Sequence, residues 1–146
     1  MEIKVLRFLE ISTLELYDIL QLRSEVFVVE QDCVYLDIDG KDQKALHLIG
    51  KINNQIVAYT RCFAPGDYFK QASIGRVVVK NNFRGAHYGD LIMEASLQAI
   101  TTYYGLVSIK ISAQTYLTSF YNKHGFKQVG TSYLEDGIPH IAMLRD

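Results

Sequence analysis

Residues 74–93 read IGRVVVKNNFRGAHYGDLIM, and the change of character within this run decides the fold. Ile74 to Val79 is rich in β-branched residues and reads as a strand. From Tyr88 onward the apolar residues Leu91, Ile92, Ala95, Leu97 and Ile100 recur every three or four positions, as on one face of a helix. Arg84, Gly85 and Gly89 lie at the join. A helix N-terminus presents unpaired N–H groups and a partial positive charge, and glycine lets a backbone come close, so such a turn suits an anion. The spacing fits neither the Walker pattern, which needs Gly-Lys-Ser/Thr, nor the three-glycine dinucleotide fingerprint. An ordinary strand-to-helix turn is the alternative.

Working outward toward the N-terminus, Ser73 to Val79 follows a Pro65-Gly66-Asp67 turn. Before it, Leu46 to Ile52 and Gln55 to Phe63 are β-rich and separated by Asn53-Asn54, a pair that tolerates positive φ and predicts a tight hairpin. A first strand is expected over Ile3 to Leu9. Ser12 followed by Glu15 makes a capping box, and Leu16, Ile19, Leu20, Arg23 and Phe27 continue at helical spacing to about Val29. The polar stretch EQDCVYLDIDGKDQKA reads as loop or short helical turns.

Toward the C-terminus, the helix over Tyr88 to Tyr104 ends at Gly105, a natural C-cap. A strand over Leu106 to Ser112 and a short helix over Thr115 to His124 come next. A final strand pair, Phe126 to Leu134 and His140 to Leu144, flanks Asp136-Gly137. The order β-α-β-β-β-α-β-α-β-β predicts an α+β fold in one domain spanning 1–146. Its twisted, mostly antiparallel sheet would have six to seven strands and about four flanking helices.

Composition narrows the function classes. Apolar residues make up 49 % of the 146 residues and charged residues 21 %, which argues for a globular chain rather than a disordered one. The formal charge is −1 with no basic block, so a nucleic-acid surface is not expected. The two cysteines, Cys33 and Cys62, cannot build a disulfide framework or a CxxC metal site, and read as buried thiols in a reducing compartment. MEIKVLRFLEIS lacks the apolar core of a signal peptide, and no run reaches the ~18 residues of a membrane span. A cytoplasmic protein without a membrane anchor is expected. Closing strands exposed at a sheet edge would allow a homodimer.

VVVKNNFRGAHYGDLIMEASL resembles the cofactor motif of the GNAT acyl-CoA N-acyltransferases, in which an Arg/Gln-x-x-Gly-x-Gly/Ala turn follows the central strand. FYNKHGF, residues 120–126, resembles that family's Tyr-x-x-x-Gly-Phe helix end. LRSEVFVVEQ, DIDGKD with His47, and YLEDGIPHIAM resemble its ElaA-like branch. The chain departs from the family at His87, which stands at the middle glycine of the turn.

The resemblance implies an acetyl-CoA-dependent N-acetyltransferase that moves an acetyl group to a primary amine of a small molecule or peptide, by direct attack in a ternary complex and without a metal. It implies a pantetheine arm along Val77, Val78 and Val79, held by backbone groups, one of which polarises the thioester carbonyl. The pyrophosphate seat would be Arg84, Gly85, Ala86, His87, Tyr88, Gly89 and Asp90, with an amide contact from Gln114. Tyr121 would protonate the leaving thiolate, unless it is simply a core tyrosine. His140 is the first choice of base, with Glu135, Glu30 and His47 behind it.

Arg23 and Arg76 suit bidentate contact with an anionic group on the substrate. Arg23 shares its helical stripe with apolar residues, so a structural salt bridge to Glu30 or Asp39 is its other reading. DIDGKD lacks the glycine placement of an EF-hand loop and reads as a carboxylate-rich turn. His87 is expected in an ordinary helix-start conformation, its imidazole turned to solvent or to the adenosine phosphate. If φ at His87 must be positive, its Cβ obstructs close approach of a phosphate and the chain becomes a non-catalytic acyl-CoA-binding or sensing domain.

Overall fold

A computed structural model describes residues 1–146. Seven strands form two antiparallel sheets, of four strands in the order β1-β2-β3-β4 and of three in the order β5-β7-β6. Strand β1 covers Glu2–Arg7 and pairs with β2, Leu46–Ile52. It stops short of the expected Leu9, because residues 8–10 curl into a 3-10 turn and Leu9 points to solvent. The β2–β3 hairpin closes as expected: Asn53 and Asn54 both take positive φ, 48° and 66°, before β3 at Gln55–Phe63.

Helix α1, Thr13–Arg23, starts at the predicted cap, where Ser12 Oγ accepts from the Glu15 N–H at 3.1 Å. Its chain continues as a wider π-helical segment over Ser24–Glu30. Ile19, Leu22 and Val26 bury one side of this unit against Ile49, Ile56, Tyr59 and Val78. Helix α2, Tyr88–Tyr104, covers the opposite face of the four-stranded sheet, where Ile92, Met93, Leu97 and Ile100 meet Leu46, Leu48, Ala58 and Cys62. Each such side chain contributes about 1.5–3 kcal/mol on burial. The sheet is therefore clamped from both sides, and only its ends stay open.

Strand β4, Ser73–Val79, pairs with β3 but not with β5, Ile109–Gln114. The two sheets meet at a single parallel bridge, Ala72 to Ile109, where Ala72 N–H bonds the Ser108 carbonyl and Lys110 N–H bonds the Ala72 carbonyl. Beyond it β4 and β5 separate. The expected start of β5 at Leu106 is corrected, since Leu106 is 93 % exposed and ordering begins at Ile109. Helix α3, Thr118–Lys123, follows a 3-10 turn and leads to the hairpin of β6, Lys127–Glu135, and β7, Ile138–Arg145. Asp136 and Gly137, both at positive φ, make its turn. No helix is long and apolar enough to cross a membrane. Cys33 and Cys62 are free and buried, and burial pushes the Cys62 thiol up to about 12.

Candidate active site

The gap between β4 and β5 is the origin of the site. A hydrogen bond from Lys80 N–H to the Val57 carbonyl sets the phase of the β3–β4 ladder. Val78 consequently faces β3 with its backbone groups, while Val79 turns its N–H and C=O toward the gap. One step earlier the register slips between Tyr59 and Arg61, and Arg76 occupies the left-handed region at φ 49°. This bulge bends β4 away from β5 and holds the gap open.

Two clefts adjoin in the gap. The larger, of ≈ 440 Å³, is lined by Val77, Val78, Val79, Arg84, Gly85, His87, Tyr88, Gly89 and Asp90 from the β4–α2 connection, and by Phe120 and Tyr121 from α3. It thus gathers the predicted cofactor residues except Ala86, which follows Gly85 in the same turn, and Gln114. The smaller, of ≈ 150 Å³, is lined by Gln114, Arg76, Glu135, Asp136, Tyr121 and His140 among others. Tyr121 lines both.

The turn before α2 differs from expectation at one point. His87 is left-handed, at φ 63° and ψ 19°, not in a helix-start conformation. It is the N-cap and follows Gly85 at φ 87°, and the two left-handed residues swing the chain from the end of β4 onto the α2 axis. Its imidazole is 84 % exposed, with Nδ1 3.2 Å from Asp90, at the rim of the larger cleft. Hydrogen bonds from Lys123 and then His124 hold the Asp90 carboxyl well below the usual range. His124 spans Asp90 at 2.9 Å and Glu94 at 2.8 Å, fastening α3 to the first turns of α2.

Arg84 reaches back across the larger cleft. Its Nε donates to the Val79 carbonyl at 2.9 Å, and its two Nη atoms fork onto Glu30 at 2.5 and 3.1 Å. Glu30 is therefore Arg84's partner rather than Arg23's. Gln114 exchanges amide hydrogen bonds at 3.2 and 3.4 Å with Gln31, which lines both clefts.

Tyr121 is 7 % exposed, and its ring sits edge-on to Phe120 and Phe126. Its hydroxyl bonds no protein group yet is not sealed in, which leaves it facing the clefts. Burial raises its ionisation well above the usual phenol range, so it carries its proton at neutral pH. His140, also 7 % exposed, has Nδ1 2.7 Å from the Ile138 carbonyl. A carbonyl only accepts, so Nδ1 donates to it, and in the neutral ring the lone pair falls on Nε2, which lies 3.4 Å from Glu135. His47 is fully buried between Tyr59 Oη and the Asp42 carbonyl, away from both clefts.

Arg23 is corrected as a substrate contact. It is completely buried, with Nε on Asp37 at 2.9 Å and Nη1 on Asp42 at 2.8 Å, so no face remains for a ligand. Its partners are these two aspartates, not Glu30 or Asp39. Arg61, which sequence reasoning missed, grips Asp39 and Asp42. Arg76 lies 2.8 Å from Asp37 and 3.5 Å from Asp39, and does line the smaller cleft. The carboxylates of DIDGKD thus answer three arginines. The signal for Arg61 was present: a charged residue inside the otherwise apolar run QIVAYTRCF has to meet an opposite charge.

The family model described as an acetyltransferase (GNAT) domain matches residues 15–145. A UPF0039 protein of Synechocystis is 43 % identical over 94 % of this chain and 90 % of its own, and Protein ElaA of Escherichia coli is 42 % identical over 94 % and 91 %. The crystal structure of Escherichia coli ElaA superposes over 100 % of both chains with TM-score 0.92 at 39 % identity. An acyl-CoA N-acyltransferase from Pseudomonas aeruginosa gives 0.94, also over 100 % of both and at 39 % identity. An aminoglycoside 6'-N-acetyltransferase complexed with coenzyme A, at 15 % identity and TM-score 0.74 over 99 % of this chain and 96 % of its own, shares the fold. The chain belongs to the GNAT family of acetyltransferases and is an acyltransferase of its ElaA-like branch.

Proposed function

We propose that this chain, as a single domain in the cytoplasm, moves the acetyl group of acetyl-CoA to a primary amine of a small molecule or peptide by direct attack in a ternary complex. One observation carries the reading: the unbonded Tyr121 hydroxyl lies where the larger cleft, headed by a helix N-terminus, joins the smaller one that holds His140. The donor enters the larger cleft, with its pyrophosphate on the Gly85–Asp90 turn and its arm along the free edge of β4. The N–H of Val79, or of Val77 one pleat before, bonds the thioester oxygen and stabilises the charge that grows on it during attack.

The amine enters the smaller cleft. His140 Nε2 takes its proton, directly or through a water, and the nitrogen adds to the thioester carbon. Collapse of the adduct breaks the carbon–sulfur bond, Tyr121 gives its proton to the departing thiolate, and the second proton, shed by the adduct nitrogen on its way to the neutral amide, restores the phenol through water. The alternative is a non-catalytic acyl-CoA sensor, in which the Cβ of the left-handed His87 obstructs close approach of the pyrophosphate.

The test is incubation with acetyl-CoA and a panel of primary amines while free thiol is followed, alongside calorimetric titration with CoA. Amine-dependent thiol release supports the proposal. Binding of CoA without release with any amine favours the sensor, and absence of binding ends both readings.

A further inference from the structure

No protein group bonds the Tyr121 hydroxyl, so its direction is set by the backbone beneath it. That backbone is slight. Helix α3 has six residues, Thr118–Lys123, too few to hold a helix without tertiary support. Phe120 and Phe126 pack edge-on against the Tyr121 ring, but apolar burial is non-directional.

His124 supplies the missing direction. It caps the end of α3, and its N–H bonds the Tyr121 carbonyl at 3.0 Å. Its ring, 4 % exposed, reaches over to α2, with Nε2 2.9 Å from Asp90 and Nδ1 2.8 Å from Glu94. Ionised carboxylates only accept, so both ring nitrogens donate, which only the imidazolium can do. Two charge-assisted bonds on opposite sides of a rigid ring fix its place and its tilt. The His124 carbonyl accepts from Arg145 Nε at 3.0 Å, on β7, the strand that also carries His140. Gly125 makes room for this contact: it sits at φ 90°, and a Cβ there would stand 3.0 Å from the same Nε. One residue is therefore bonded to the helix that begins at the donor turn, to the helix of Tyr121 and to the strand of His140.

Stability does not account for the arrangement. Apolar packing often replaces a buried ion pair at little cost to the fold, and what the ionic version can add is a single geometry. Without His124, Asp90 keeps Lys123 at 2.8 Å and His87 at 3.2 Å, and the largely exposed Glu94 returns to water. Phe120, edge-on to the imidazole with centroids 5.0 Å apart, packs equally well on another flat ring. We propose that His124 is a positioning residue for acetyl transfer: clamped to Asp90 and Glu94, it holds the Tyr121 hydroxyl at the junction of the two clefts, so that the acid and the donor turn move as one body. The inference rests on the transferase reading above, with Tyr121 as the acid.

A double-mutant cycle tests it on the full chain, with acetyl-CoA and an amine accepted in the panel. His124→Phe keeps a flat ring and removes both donors. Because a shift of ~1 Å at a reacting group can cost about a hundredfold, it should lower kcat about ten- to a hundredfold, with CoA affinity by calorimetry within about threefold. In the Tyr121→Phe background the same change should alter kcat by less than about twofold, since no hydroxyl remains to be aimed. Glu94→Ala removes one arm of the clamp from an exposed position and repeats the cycle should His124→Phe fail to fold. It should cost about three- to tenfold with the hydroxyl present and under about twofold without it. Equal losses in the two backgrounds, as a role in folding alone would give, or no loss in the first, would overturn the inference and leave Tyr121 as the acid. A Tyr121→Phe chain as fast as wild type overturns both assignments, and bound CoA with no thiol release from any amine overturns the transferase reading with them.

Discussion

Removing one oxygen atom, by Tyr121→Phe, separates catalysis from architecture more cleanly than any other change in this molecule. The ring is packed edge-on against Phe120 and Phe126, with centroids 5.1 and 6.1 Å away, and a phenylalanine keeps both contacts. The hydroxyl makes no hydrogen bond, so its loss leaves no orphaned partner. Stability should change by under about 1 kcal/mol, which shifts the melting temperature of a chain of this length by no more than ~4 °C. The rate should respond very differently. A positioned general acid contributes typically 10²–10⁴-fold, or about 2.7–5.4 kcal/mol of barrier at 1.36 kcal/mol per tenfold. The assay is thiol release at saturating acetyl-CoA and amine, with CoA affinity measured by calorimetry and melting by scanning fluorimetry. The expected outcome is kcat reduced at least a hundredfold, CoA affinity within about threefold and melting within ~4 °C of wild type. A kcat within threefold of wild type would refute the assignment of Tyr121 as the acid.

Other outcomes follow from the same geometry. His87→Gly relieves a left-handed residue, a gain of about 1–2 kcal/mol that glycine's greater freedom in the unfolded chain offsets by about 0.5–1; CoA affinity by calorimetry should stay within a few-fold, and a large gain would show that the Cβ obstructs the seat. Asp42→Asn leaves Arg23 and Arg61 buried with a partner lost, which should cost about 3–5 kcal/mol and lower the melting temperature on the order of 10 °C. Acid should unfold the chain through the same network: burial alone pushes the Asp39 and Asp42 carboxyls up, but hydrogen bonds and charge from Arg61 and Arg23 outweigh it and hold both below the ordinary range. Their stabilisation is complete above pH ~4 and is lost as pH falls through the folded values, to be read by urea denaturation at pH 7, 4 and 3. At the alkaline end burial raises Tyr35, Tyr59 and Tyr121, so the unfolded chain releases phenolic protons first and stability should decline above pH ~10.

Much of the fold was legible because local signals agreed with the final packing. The Ser12–Glu15 cap, the Asn53-Asn54 turn and the Gly105 stop each fix a boundary through backbone geometry that only a few residue types satisfy. Boundaries slipped where apolar residues lie at strand ends: Leu9 and Leu106 look like strand, yet both face solvent, and composition alone does not say which leucine is inside. At the site, the chain-local part could be read, since the β4–α2 turn and the α3 end are continuous segments. The pairing of charges could not. Asp37 meets Arg23 fourteen residues away and Asp39 meets Arg61 twenty-two away, and those distances in sequence are set by the whole topology. The left-handed His87 was hidden for another reason: few non-glycine residues sit at φ above zero even though histidine is enriched among them, and the sequence shows only a position where glycine was expected.

Direct transfer within a ternary complex is the centre of the account, and initial rates over a grid of concentrations of acetyl-CoA and of an amine accepted in the panel test it most directly. Cys33 and Cys62 are both buried, and burial holds the Cys62 thiol in its protonated, unreactive form. Double-reciprocal lines that intersect are the predicted result, because both substrates must be bound before the acetyl group moves. Parallel lines, with an acetylated enzyme captured in the absence of amine, would contradict it.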